Sequence, residues 1–114
     1  MIQPDEVYLA SFPFGDTAGM KLRPVLTRTC PVGPIPEVLV AYISSVIPNA
    51  LLPTDIVLDP SASDFRSTNL KTKSVLRLHK LATIHGSAIV RRLGRLSANM
   101  SVEVDHKLCS LLAL

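Results

Sequence analysis

Apolar and polar residues alternate in short runs through most of this chain, and only the last segment carries the spacing of a helix. Glu6 to Phe12 reads as a strand, and Pro24 to Thr29 as its antiparallel neighbour. The proline-rich stretch from Cys30 to Pro36 cannot continue either one. Glu37 to Val46 is the strongest strand, with Val38, Leu39, Val40, Ile43 and Val46 supplying β-branched and apolar bulk. Asp55 to Leu58 is a short strand, and Asp59 to Asn69 reads as a surface loop or an irregular turn of helix. Ser74 to Leu78 and Leu81 to Ile84 read as two further extended pieces, whereas Ile89 to Leu96 fits either a strand or a helix weakened by Gly94. Met100, Val104, Leu108, Leu111 and Leu112 then fall at helical spacing, with Ser97 or Asn99 as N-cap and Glu103, Asp105 and Lys107 on the polar face. The pattern predicts a mainly β, mostly antiparallel barrel or half-barrel closed by a C-terminal helix.

Composition narrows the class. The 114 residues make one domain, 1–114, and a hydrophobic fraction of 47% is enough for a core. No apolar run approaches the ~18 residues that span a bilayer, and no leader-like start is seen, so a cytoplasmic location is expected. Cys30 and Cys109 lie far apart and outside any zinc or haem spacing. They are expected to be free, buried or half-buried thiols, with a bridge left open by the sequence. Net charge is +3, yet eight of the twelve basic residues fall between Arg66 and Arg95, and no Asp or Glu occurs from Phe65 through Val102. A one-sign block of that length attracts polyanions, which points to nucleic acid or to an acidic protein partner.

Candidate chemistry begins in the connection from Phe12 to Pro24. Gly15, Asp16 and Gly19 permit turns, and Lys21 and Arg23 emerge on one face where the next strand starts. Ser44 and Ser45 end the most apolar strand; as ordinary strand-end residues they need no function, but their hydroxyls can bond a phosphate. No nucleophile elbow surrounds them, which argues against a serine hydrolase. Arg77 and His79 alternate with Leu76 and Leu78 and so share a face.

Taken in order, Pro4-Asp5-Glu6-Val7-Tyr8-Leu9, Phe12-Pro13-Phe14, Lys21-Leu22-Arg23-Pro24-Val25-Leu26, Ala41-Tyr42-Ile43-Ser44-Ser45, Leu52-Pro53-Thr54, Ser74-Val75-Leu76-Arg77-Leu78 and Ala82-Thr83-Ile84 resemble the PemK/MazF toxins over nearly the whole chain. The resemblance implies an SH3-like barrel with a C-terminal helix and a homodimer. It implies a metal-independent endoribonuclease that cuts single-stranded RNA at short sequences and is inhibited by a cognate antitoxin. In the implied reaction the 2′-hydroxyl attacks the adjacent phosphate. By the same resemblance the catalytic positions fall on Arg23, Ser44 and Arg77, with His79 where some members keep an acid. Asp16, Thr17, Lys21, Ser45, Lys71 and Lys73 are the expected RNA-binding set, and no cofactor is implied. Other members carry a Glu where this chain has Ala18, so the sequence leaves the general base open. Arginine stays protonated and suits charge stabilisation better than proton abstraction. Phe14 and Phe65 are the candidates for base stacking, while Tyr42 and Phe12 are expected in core or interface. A non-catalytic RNA- or protein-binding module of the same fold is the alternative.

Overall fold

The computed structural model describes residues 1–12 and 21–114. Its strands are β1 (Glu6–Phe12), β2 (Lys21–Thr27), β3 (Glu37–Ser44), β4 (Asp55–Leu58), β5 (Ser74–His85) and β6 (Ile89–Arg95), followed by helix α1 (Ala98–Leu112). They form one antiparallel sheet in the order β4-β5-β3-β2-β1-β6. The segment Ile89 to Leu96 thus resolves as a strand, and the two pieces expected around Leu78 and Leu81 are one strand. They read as separate because β5 is irregular there: Ala41 of β3 faces Leu81, while the next residue, Tyr42, faces Arg77. That slip bulges β5 over residues 78–80 and bends it, letting a single strand turn the sheet.

The sheet stays open, since among the described residues β4 and β6 form its two edges and do not pair with each other. The connection from β4 to β5, with its 3₁₀ turn at Ser63–Thr68, instead leans on β6. Ser67 Oγ donates to the Arg95 carbonyl at 2.9 Å and Asn69 Nδ2 to the Leu93 carbonyl at 2.6 Å. Gly94 permits this approach, because a Cβ there would stand 2.2 Å from the Ser67 carbonyl oxygen. The β6 edge is therefore covered by side-chain bonds from this connection rather than by a strand ladder.

Two faces of the bent sheet make two cores. On one, Val7, Leu26, Ala41, Ile43, Leu76 and Leu78 pack with Val104 and Leu108 of α1. On the other, Tyr8, Ala10, Val25, Val38, Val40 and Ile84 pack together. Ser97 caps the helix by accepting from the Met100 N–H at 3.2 Å, and Arg28 ties β2 to both Asp5 and Asp105 of the helix. Of the expected apolar stripe, Leu111 and Leu112 are exposed. Both thiols are free, and both are exposed rather than buried: Cys30 lies on the proline-rich loop and Cys109 on α1.

Candidate functional site

Antiparallel register assembles the site. Tyr42 of β3 faces Val25 of β2. Two residues along each strand in the same spatial direction, Arg23 and Ser44 stand on that same face. Both line a cavity of about 430 Å³ together with Tyr42, Ser45, Lys71 and Arg91. Leu9, Leu22 and Leu93 add an apolar lining, and no carboxylate or imidazole lines the cavity among the described residues. Three cations with no acid beside them among the described residues give a positive potential, and a low-dielectric wall strengthens it.

Arg23 is held unlike the other arginines. Its Nη1 donates to the Tyr42 hydroxyl at 3.2 Å, while its buried Nε finds no acceptor among the described residues. An unmet buried donor is costly, and a bound anion offers the missing acceptors. Ser44 Oγ accepts from the Val46 N–H at 3.1 Å, which fixes the hydroxyl at the end of β3. Carboxylates elsewhere claim Arg28 (Asp5, Asp105), Arg77 (Asp55) and Arg92 (Glu6).

The structure brings together Arg23, Ser44, Ser45 and Lys71 of the expected residues. Lys21 is exposed at the start of β2 and Lys73 is exposed beside Asp59, at 3.9 Å; neither lines the cavity. Arg77 and His79 do share a face of β5, but they turn toward the β3–β4 connection. Arg77 Nε and Nη2 meet the two Asp55 oxygens at 2.9 and 3.3 Å, and His79 Nδ1 lies 2.7 Å from Thr54 Oγ1. Burial alone would raise the Asp55 carboxyl; bonds from Arg77 and the Leu52 N–H, with the Arg77 and His79 charges, outweigh it and hold the group below its usual value. Asp16, Thr17, Phe14 and Ala18 lie outside the described residues. Phe65 is buried under the 3₁₀ turn and unavailable for stacking.

Two cavity residues were not singled out from sequence. Arg91 was visible only as one member of the basic block, and its pairing with Leu9 across β1 and β6 brings it to the rim. Tyr42 was expected in core or interface, although its place two residues before Ser44 already put both on one face.

No curated protein matches the chain. Among solved structures, the fold is similar to the Mycobacterium tuberculosis toxin MazF-mt6, at 22% identity and TM-score 0.72 over 96% of this chain and 97% of that one. A mycobacterial endoribonuclease in complex with its cognate antitoxin gives 15% identity and TM-score 0.69 over 100% and 97%. MazF from Deinococcus radiodurans gives 17% and 0.70 over 99% and 97%. Residues 3–112 match the model of the PemK-like, MazF-like toxins of type II toxin–antitoxin systems. The chain, by that match over nearly its whole length, belongs to this toxin family.

Proposed function

We propose that the chain is a cytoplasmic endoribonuclease acting on single-stranded RNA, with Arg23 and Ser44 at the scissile phosphate. The reading rests on one observation above all, an arginine whose buried Nε meets no acceptor among the described residues, beside a fixed serine hydroxyl in a cavity whose described lining holds cations and no acid. Its chemistry follows from charge. The ribose 2′-oxygen forms a bond to phosphorus, the bond from phosphorus to the 5′-oxygen breaks, and the 2′-proton is lost as the 5′-oxygen gains one. Products are a 2′,3′-cyclic phosphate and a 5′-hydroxyl. Negative charge concentrates on the phosphate oxygens in the transition state, where a guanidinium offers forked donors and Ser44 one more. Lys71 and Arg91 hold flanking phosphates, and the leucine lining accepts part of a base. Arg77 serves the fold by neutralising Asp55. The protein works as a homodimer restrained by a cognate antitoxin, whose acidic segment would compete for the same cations; the mycobacterial endoribonuclease bound to its cognate antitoxin and a Deinococcus MazE–MazF structure are precedents for such a complex alone.

The absence of a carboxylate or imidazole from the described cavity lining favours a second reading, a family member that grips RNA without turning it over. Incubation with a long mixed-sequence RNA in EDTA separates the two. Fragments with cyclic phosphate ends support the nuclease, and tight binding with intact RNA supports the binder.

A further inference from the structure

Among the described residues, three arginines are fixed by carboxylates: Arg28 by Asp5 and Asp105, Arg77 by Asp55, Arg92 by Glu6. Arg23 is fixed by a phenol. Its Nη1 donates to the Tyr42 hydroxyl at 3.2 Å, and its Cζ lies 5.9 Å from the centre of the same ring. The two kinds of partner differ in consequence. A carboxylate aims a guanidinium and cancels its charge, so an arriving phosphate must displace it. A neutral phenol aims the group and leaves its charge whole.

The ring is itself firmly placed. Tyr42 stands opposite Val25 on β2 and Arg77 on β5, so strands on both sides hold its backbone. Lys80 Nζ lies 5.5 Å from the ring centre, beside the bulge of β5. The hydroxyl therefore has a fixed position relative to Ser44, two residues along the same strand and face.

We propose that Tyr42 is a positioning residue for the phosphate-cleaving site, its hydroxyl orienting the Arg23 guanidinium toward the cavity without neutralising it. This rests on the nuclease reading above. Ground-state binding is carried by several cations, whereas the aim of Arg23 matters most when charge concentrates on the phosphate. Loss of the hydroxyl should therefore lower kcat more than it raises KM.

Tyr42→Phe keeps the ring and removes the hydroxyl to which Arg23 Nη1 donates. On a short RNA spanning a mapped cut, the variant should show kcat about tenfold lower with KM within about twofold. Nitrogen-15 NMR of the arginine side chains gives a readout independent of turnover: rotation of the Arg23 guanidinium should be slow in the parent and fast in the variant. Parental kcat in Tyr42→Phe overturns the proposal, as does unchanged Arg23 rotation. If the parent cuts no RNA, the nuclease reading fails, and titration with inorganic phosphate decides the anchor. Weaker perturbation of the Arg23 signals in the variant then supports it, and equal perturbation overturns it.

Discussion

Removing the Arg77 guanidinium by Arg77→Met tests whether this residue serves the fold or the reaction. The Asp55 side chain is 0% exposed and that of Arg77 19%, with two bonds of 2.9 and 3.3 Å between them. Deleting one member of such a pair leaves a buried charge without its counterion, a loss of roughly 3–5 kcal/mol. Asp55 keeps the Leu52 N–H at 2.9 Å, so the lower end applies, about 3 kcal/mol. For a domain of this size that lowers Tm by roughly 12 °C. The deficit should depend on pH with a definite sign. In the parent, the Asp55 pKa lies below its usual value, so its contribution is present at neutral pH and lost as pH falls below about 4. In the variant, burial acts without Arg77 and pushes the carboxyl up, so the folded state gains on acidification as Asp55 takes a proton. Thermal melts from pH 7 down to pH 4 should therefore show the gap between the two proteins narrowing. Asp55→Asn combined with Arg77→Met should restore most of the lost stability at pH 7. A variant with parental Tm and collapsed RNA cleavage would refute this reasoning and return Arg77 to the catalytic group.

Two further predictions test the seam and the cations. Gly94→Ala drives a Cβ to 2.2 Å from the Ser67 carbonyl oxygen, a backbone atom that cannot swing aside. It should cost about 3 kcal/mol or more, read as a drop in urea midpoint with loss of amide protection in β6. Lys71→Ala and Arg91→Ala should each weaken single-stranded RNA binding and lower the slope of log affinity against log salt by about 0.7, measured by fluorescence anisotropy.

How far the residues announced the fold depends on whether a feature is local. β1 and β4 begin and end where alternation places them, and the Ser97 cap is written three residues before the N–H that it accepts. The bulge in β5 was not legible, because the polar pair His79-Lys80 looks like a strand break, and only β3 beside it shows the strand continuing. Gly94 looked like a flaw in a helix; its reason is a carbonyl from a turn 27 residues earlier in the chain. The site divides in the same way. Arg23 and Ser44 were singled out by the family resemblance, and strand register sets both beside one cavity. The fate of Arg77 depended on Asp55, 22 residues distant and across a strand pair, and no spacing reveals that pairing. Tyr42 bears an apolar ring, and composition alone files such a ring with the core.

The most direct test of the central claim is the single-turnover cleavage rate of a mapped RNA by the parent and by Arg23→Ala, in EDTA, with both product ends identified. Cyclic phosphate and 5′-hydroxyl ends from the parent, and at least a hundredfold slower cleavage by a folded variant, are expected from losing a preorganised transition-state donor, worth about that much. Cleavage by Arg23→Ala within about twofold of the parent would contradict the account, since no transition-state contact of that kind would then have been lost.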